Sequence, residues 1–534
     1  MLVTLLLAVM AQGTPYDVIL TGGRIVDGTG APSFNADLAI RDGRIAAIGR
    51  LRGQAAARTI DVTGLVVAPG FIDMMGQTGA PFLRDAGAGL NLLTQGITTI
   101  NAGEGGSDAP LPPDLARERG WATMREFFAR LEANGIPMNV AQTVGHTQVR
   151  RMVIGDTDRQ AAPDELTRMK GMVEEAMQAG AIGLSTSLIY PPAIYASEAE
   201  ITALAEVAGH YGGRYFTHMR NEGDKLLEAI EEALRIGRAA RTPVHIYHLK
   251  TAGQANWGKM DQAIALIKAA RASGQDVGVD VYPYVNNGLG IRALIHPRNA
   301  AQGQEELMRR LADPAVRAVM RREMEQETGW ENWFVHAGRD WNRIVLGNIQ
   351  HPEFTQFNGQ SVQTIARQSG KDSWDVFFAI AGSDAFLMPQ TMSEANKIKA
   401  MREEFTSFDT DVGPAGGSNW ASHPRAWGAF PRIFARYVRD LGALSLEAAV
   451  HRATAVAANE IGAYDRGKLA PGLAADIVVF DPLTIRDRAT FGEPTAPSEG
   501  ITYVLVNGVL ALEKGGYTGS KSGKVLRGPG WDGK

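Results

Sequence analysis

A chain of 534 residues, 45% apolar and 21% charged, has the composition of a globular protein able to bury a large core, so one large domain with a smaller companion is expected. A net charge of −4, with no block of Lys and Arg, leaves no electrostatic footprint for a polyanion; this argues against nucleic acid and points to a small-molecule ligand. The absence of cysteine excludes disulfides, zinc-cysteine clusters and thiol nucleophiles, and leaves His, Asp, Glu or a modified Lys to hold any metal.

In chain order, Met1 to Ala11 is an apolar run closing on Val9-Met10-Ala11, a small-residue pattern at which signal peptidase could cut before Gln12. Residues 1–15 are therefore expected to be a signal peptide and the mature protein periplasmic or secreted; a cytoplasmic protein with an untidy N-terminus is the alternative. No apolar stretch reaches the ~18 residues that a membrane span needs. From Tyr16 to Val67 the pattern is short and alternating, and Asp42-Gly43 falls between two apolar runs as a hairpin turn does. The same grammar returns in Ala475-Asp-Ile-Val-Val-Phe-Asp481 and Ile501-Thr-Tyr-Val-Leu-Val-Asn-Gly508. Residues 16–69 and 466–534 are expected to form one composite β-sandwich, with a loose Gly/Lys-rich tail at the C-terminus.

Residues 70–465 alternate helical patterns with short apolar strands, the signature of βα units. Pro163 to Ala179 carries apolar residues at helical spacing and meets Gly180 as a stop; Ser197 with Glu200 looks like a capping box for the next helix, which ends at Gly212-Gly213. A strand Arg214 to His218, a helix 224–241, a strand Pro243 to His248, a helix to Gly274 and a strand Val277 to Tyr282 follow. The beat of about 30 residues per unit is that of a (β/α)8 barrel. The stretch from Asn286 to about Gly359 breaks this rhythm with charged helical sequence and a Trp-rich segment, and is expected to be an insertion near the barrel mouth.

His218 and His248 each close a predicted strand, so their imidazoles would converge at the strands' C-terminal ends, where a metal could be held. Taken singly, a strand-end histidine is as readily an ordinary hydrogen-bonding residue. Ser407-Phe-Asp-Thr-Asp-Val-Gly413 reads as a short strand ending in carboxylates, which could accept a proton from water or simply cap a turn. His146 closes another strand and could line the pocket or contact substrate. His245, three residues before His248, is expected on the opposite face, packed among helices. Tyr190 and Tyr195, flanking Pro191-Pro192, could form a lid, a pocket wall or a rigid surface loop.

Ala68-Pro-Gly-Phe-Ile-Asp73, Gln95-Gly-Ile-Thr-Thr99, Gly183-Leu-Ser-Thr186, Phe216-Thr-His-Met-Arg220, His248-Leu-Lys250, Tyr282-Pro-Tyr284, His423-Pro-Arg-Ala-Trp-Gly-Ala-Phe-Pro-Arg432 and the closing Arg466 to Asp481 segment resemble, in order and over nearly the whole chain, the N-acyl-D-amino-acid deacylase branch of the amidohydrolase superfamily. The resemblance implies a zinc enzyme with ligands at barrel strand ends, among them the histidines matched by His218 and His248. It implies Asp411 as catalytic acid and base, since Asp409 takes the slot where the family's pattern has Gly. Lys250, Tyr282 and Arg425 match the groups that hold a substrate carboxylate.

Two departures qualify the match. Where the superfamily's first strand has His-x-His this chain has Met75-Gly76-Gln77, so the first of two metal positions is expected to be empty. Where D-aminoacylases place a metal-binding Cys this chain has Asn101-Ala-Gly-Glu-Gly105, and Glu104 offers an oxygen ligand in its stead. Glu104, His218 and His248 would then form a one-zinc site, with another divalent metal as the alternative. The expected reaction is hydrolysis of an N-acyl amino acid, probed against two alternatives: an amidohydrolase for a dipeptide, N-acyl lipid or cyclic imide, and an inactive carboxylate-binding barrel.

Overall fold

The computed structural model describes residues 15–85, 87–326, 328–415 and 422–534. The signal-peptide reading of Met1 to Ala11 falls outside them. Among the described residues no helix is long and apolar enough to cross a membrane.

Both chain ends enter one nine-stranded sheet. Tyr16–Ile25 pairs antiparallel with Phe34–Arg41, which turns through Asp42 (φ 51°) and Gly43 (φ 71°) into Arg44–Gly49, the hairpin its Asp-Gly signal predicts. Val66–Pro69 pairs with Ile477–Phe480 and so joins the N-terminal strands to Ile501–Val506 and Val509–Glu513. Alternation then divides the side chains: Val67, Ile477, Val479 and Leu505 close a core with Leu20 and Ile40, while Val66, Ala68, Val478 and Phe480 face the main core of the molecule. The C-terminal tail is docked, not loose. Gly523 N donates to Ile136 O (2.8 Å), Val140 N to Lys524 O (2.9 Å) and Leu526 N to Val140 O (2.8 Å), so the tail's backbone adds to the Asn139–Gln142 strand.

The middle of the chain is α/β. Phe71–Asp73, Ile97–Ala102 and Asn139–Gln142 form one parallel sheet; Val144–Gly145, Gly183–Ser187, Arg214–His218, Val244–Ile246, Val277–Val281 and Thr406–Phe408 form another. Single hydrogen bonds span the gaps, Ile182 N to Gln142 O (2.9 Å) on one side and Met74 N to Phe408 O (3.2 Å) on the other. The helices lie near their expected positions: Pro163–Ala179 stops at left-handed Gly180 (φ 105°), and Leu226–Ala240 packs an apolar stripe inward. Glu198–His210 has half of its expected capping box. Ser197 accepts from Glu200 N, but the Glu200 carboxylate turns away to His146 and Arg150.

The insertion is a body with its own core, in which Trp333, Phe334, Trp341, Trp374 and Phe377 pack together. Its four-stranded sheet runs Leu289–Gly290, Phe386–Pro389, Ile344–Gly347, Gln360–Ser361, so it extends past the expected boundary at 359 to Pro389.

His245 departs from expectation. The strand ends at Ile246, and His248 takes φ 36°, which breaks the alternation that would have put the two histidines on opposite faces. His245 is buried beside Phe216 and Tyr247, with Nδ1 3.0 Å from Glu460 Oε2 and Nε2 2.9 Å from Asp280 Oδ2. Burial alone would lower its pKa, but the two carboxylates raise it above 6.5. The imidazolium therefore stabilises the fold fully below pH 6.5, and that contribution is lost as pH rises through the higher folded-state value. Thermal melts across this range are expected to show a Tm that falls on the alkaline side; in His245→Gln the protein is weaker by about 3–5 kcal/mol and the slope is shallower, the remainder belonging to His248, whose pKa is raised to about 9. Parallel slopes in the two proteins would remove His245 as the titrating group.

Candidate metal centre

Five polar side chains gather just beyond the ends of parallel strands, three of them on residues with left-handed backbone, Gln77 (φ 59°), His248 (φ 36°) and Asp411 (φ 50°), together with Glu104 and His218. Non-glycine residues pay for that conformation only where their surroundings enforce it, and such positions gather at functional sites. At His248 the backbone N–H is held by Asp280, and for Gln77 and Asp411 the enforcing group is Asp73, buried at the end of the Phe71–Asp73 strand. Its Oδ1 accepts from Met75 N (3.1 Å) and Thr410 N (2.9 Å), and its Oδ2 from Thr410 Oγ1 (2.6 Å), which ties the Gln77 loop to the Asp411 loop. Glu104 follows the Ile97–Ala102 strand between Gly103 (φ 100°) and Gly105 (φ 69°); a side chain at Gly105 would strike the backbone of Ser187.

Glu104 Oε1 stands 2.6 Å from His218 Nδ1 and 3.4 Å from His248 Nε2, and the three ligand atoms lie within 4.8 Å of one another. Glu222 backs both rings from behind: its Oε1 is 3.0 Å from His248 Nδ1 and 2.5 Å from Lys250 Nζ, and its Oε2 is 3.6 Å from His218 Nε2. His248 thus turns Nε2 to Glu104 and Nδ1 to Glu222 and Lys250, the arrangement in which a carboxylate behind a histidine sets its orientation toward a metal, whereas His218 turns Nδ1 to Glu104 and its Nε2 has no hydrogen-bond partner among the described residues and faces Glu222 through charge alone. Burial works against charge on Glu104, yet hydrogen bonds from His218 and His248 hold it well below the ordinary carboxylate range. Burial likewise opposes charge on Glu222, and Lys250, His218 and His248 outweigh it, so its pKa also falls. Two imidazole nitrogens and one carboxylate oxygen, closely grouped and electrostatically prepared, fit a divalent ion such as zinc.

The cleft beside this cluster encloses about 450 Å³ and is lined by Gln77, Glu104, Tyr190, Leu289, Phe386, Asp411 and Arg425 among others. Asp411 Oδ1 accepts from Gln77 Nε2 (2.8 Å), and its Oδ2 meets Arg425 Nη1 (2.7 Å). Burial raises the Asp411 pKa against the opposing pull of Arg425, with Glu104 adding to the rise. The Arg425 guanidinium lies 4.7 Å above the Tyr282 ring, and its Nε has no hydrogen-bond partner among the described residues. Gly288 makes room for it, since a side chain there would collide with the guanidinium. Lys397, 4.1 Å from the same ring, is buried and its ammonium is lowered to about 7 by that burial and by Lys250.

The structure thus brings Glu104, His218, His248, Asp411 and Arg425 together around one cleft, with Tyr282 beneath Arg425. Lys250 stands behind His248, with its ammonium engaged by Glu222. His146 is not among the residues lining the cleft: it is buried at the start of the His146–Ile154 helix, 2.9 Å from Glu200. Asp409 is buried, and neither carboxylate oxygen has a partner among the described residues, whereas Asp411 opens on the cleft. Tyr190 is a wall of the cleft, its ring edge-on to His218 at 5.7 Å; Tyr195 points elsewhere, to Pro297 O. Sequence reasoning missed Glu222, whose one signal is its place four residues after His218, and it met Gln77 only as a departure.

An α/β fold with this cluster at its strand ends defines a metal-dependent hydrolase. Residues 58–511 match the amidohydrolase family. The chain is 35% identical to D-aminoacylase of Alcaligenes xylosoxydans xylosoxydans, over 97% of this chain and 98% of that one. A solved D-aminoacylase structure, described for its binuclear metal centre with one-metal activation and second-metal attenuation, superimposes with a TM-score of 0.79 at 34% identity, covering 96% of this chain and all of that one. N-acyl-D-glutamate deacylase of Bordetella bronchiseptica, solved with zinc and a phosphonate mimic of the tetrahedral intermediate, gives 0.80 at 33% identity, covering 96% and 100%. The chain belongs to the amidohydrolase family, in its N-acyl-D-amino-acid deacylase branch.

If Glu222 orients His248 and offsets charge at His218, Glu222→Gln is expected to weaken zinc binding about 10–100-fold, measured by competition with a chromophoric chelator, while the far-ultraviolet circular dichroism is retained. An unchanged zinc affinity would remove Glu222 from this role.

Proposed function

We propose that the protein hydrolyses the amide bond of N-acyl-D-amino acids, giving a carboxylate and a free D-amino acid. The observation that carries this reading is the meeting, in one cleft, of a three-donor cluster, a carboxylate and a buried guanidinium. One divalent ion, zinc in the first instance, held by Glu104, His218 and His248, would polarise the scissile carbonyl and acidify water. Asp411 takes the proton from the attacking water as its oxygen bonds to the carbonyl carbon. The same carboxyl then gives that proton to the departing nitrogen, because an amide anion is too basic to leave unprotonated. Arg425 binds the substrate's α-carboxylate, leaning on Tyr282, while Lys250 braces Glu222 from the far side.

With the carboxylate on Arg425 and the acyl carbonyl at the cluster, the amino-acid side chain is directed to Leu289, Phe386 and Tyr190, and one enantiomer presents its amide productively. These walls are apolar or neutral, and among the described lining residues Arg425 is the one Lys or Arg. Neutral side chains are therefore favoured over acidic ones. Two of these walls, Leu289 and Phe386, are strands of the insertion.

The architecture that best accounts for this convergence is a (β/α)8 barrel with a composite β-sandwich built from both chain ends. The bonds from Ile182 to Gln142 and from Met74 to Phe408 support closure of the two parallel sheets into one ring.

Asp411→Asn is expected to lose at least about a thousandfold in kcat, the scale of a lost general base and acid, with zinc content unchanged. Amine release from a panel of N-acetyl-D, N-acetyl-L and dipeptide substrates checks the reaction: N-acetyl-D-leucine should be cut faster than N-acetyl-D-glutamate and its own L enantiomer. Turnover of dipeptides alone would favour another amide, and none on any member would favour a carboxylate-binding protein.

A further inference from the structure

Glu104 and Asp411 turn one oxygen each toward a single point, and the atom at that point is the side-chain nitrogen of Gln77. Nε2 is 2.8 Å from Glu104 Oε2 and 2.8 Å from Asp411 Oδ1. Two carboxylates converging in this way repel one another unless a cation or a donor stands between them. A carboxamide nitrogen carries two hydrogens, one for each oxygen, and because both neighbours are acceptors only the nitrogen can face them. The position is held from the backbone as well. Gln77 has φ 59°, and its carbonyl accepts from Gly103 N at 2.8 Å, which fastens it to the very loop that carries Glu104.

We propose that Gln77 is a built-in substitute for a second metal ion: its amide spans Glu104 and Asp411, keeps a second cation out, and positions Asp411 over the cleft. The inference rests on the reading of Glu104, His218 and His248 as the working metal site and of Asp411 as the proton carrier. Each of the two carboxylates then has its oxygens committed separately. Glu104 gives Oε1 to the histidine side and Oε2 to Gln77; Asp411 gives Oδ1 to Gln77 and Oδ2 to Arg425. Gln77 is a positioning residue, acting on the reaction through Asp411, and a neutral one, so that it bridges the pair without adding the charge of a second ion.

The test is zinc stoichiometry, read by equilibrium dialysis against excess zinc chloride and elemental analysis, on wild type, Gln77→Glu and Gln77→Ala. Wild type is expected to stop at one zinc per chain. Gln77→Glu, which sets a third carboxylate at the point of convergence, is expected to take up a second. In Gln77→Ala the loss of a donor to a charged group should lower kcat about 10–100-fold, with KM changed less than about threefold and the first zinc retained. Two zinc ions in wild type would overturn the proposal and leave the metal site standing. One zinc in every variant with kcat unaltered would overturn it too, whereas no zinc in wild type would take the metal reading down with it. Retention of the first zinc in each variant shows that Glu104, His218 and His248 are still assembled, so a fall in kcat is not read as unfolding.

Discussion

Taking a carboxylate out of water costs several kcal/mol unless charge and hydrogen bonds replace its hydration, and the strand ends of this protein enclose Asp73, Glu104, Glu222, Asp280, Asp409 and Asp411 together. Each is answered differently. Asp73 takes three donors from two loops; Glu222 takes an ammonium and an imidazole; Asp280 takes His245 on one oxygen and the backbone N–H of His248 on the other. Asp409 has Lys397 as its opposing charge and no hydrogen-bond partner among the described residues, and burial with three neighbouring carboxylates pushes its pKa well above the ordinary value. The negative charge that remains turned toward the cleft, on Glu104 and Asp411, is the part available to chemistry.

The same balance explains why the backbone is bent where it is. A regular strand alternates its side chains, so it cannot present a ligand and brace that ligand from behind with its own next residues. At His248 the left-handed turn sends the imidazole to Glu104 and lets Lys250, two residues on, come round to Glu222. At Asp411 a similar turn points the carboxylate at Gln77 and Arg425 while Thr410 stays bonded to Asp73. Strain is thereby concentrated in residues whose neighbours are fixed by buried ion pairs, and the cluster is held in shape by the protein itself.

What could be read from the sequence follows from how local each feature is. The place of His218 was legible because a strand end is signalled by the residues immediately around it, and Asp42-Gly43 because a two-residue hairpin is chemically self-contained; His248 was expected at a strand end but follows it by two residues. Glu222 was not, since its meaning depends on Lys250 and the His248 ring, both brought to it from the next strand. The boundary of the insertion was missed because its sheet is completed by Phe386–Pro389, beyond two helices that look like ordinary βα sequence. His245 was misplaced by a single dihedral at His248, and the tail by a composition that hides its backbone pairing with Val140. Asp411 was distinguished from Asp409 by resemblance alone; the physical ground for the distinction, burial of one and exposure of the other to the cleft, exists only in three dimensions.

Division of labour between the two bodies follows from where their side chains lie. The parallel strands and the loops that follow them supply Glu104, His218, His248 and Asp411, through residues held by Asp73, Glu222 and Asp280. The insertion supplies Leu289, Gly290, Asn348 and Phe386 to the opposite wall, from a short antiparallel sheet with its own aromatic core. Arg425 belongs to neither wall alone: it is anchored to Asp411 and Tyr282 on one side and passes through the gap left by Gly288 on the other. Changes in the insertion can therefore alter which amino-acid side chain is accepted without disturbing the charges that Glu222 and Gln77 hold in place. The reverse does not hold, because any group replacing Gln77 must satisfy two carboxylates at once, and that requirement ties Glu104 to Asp411.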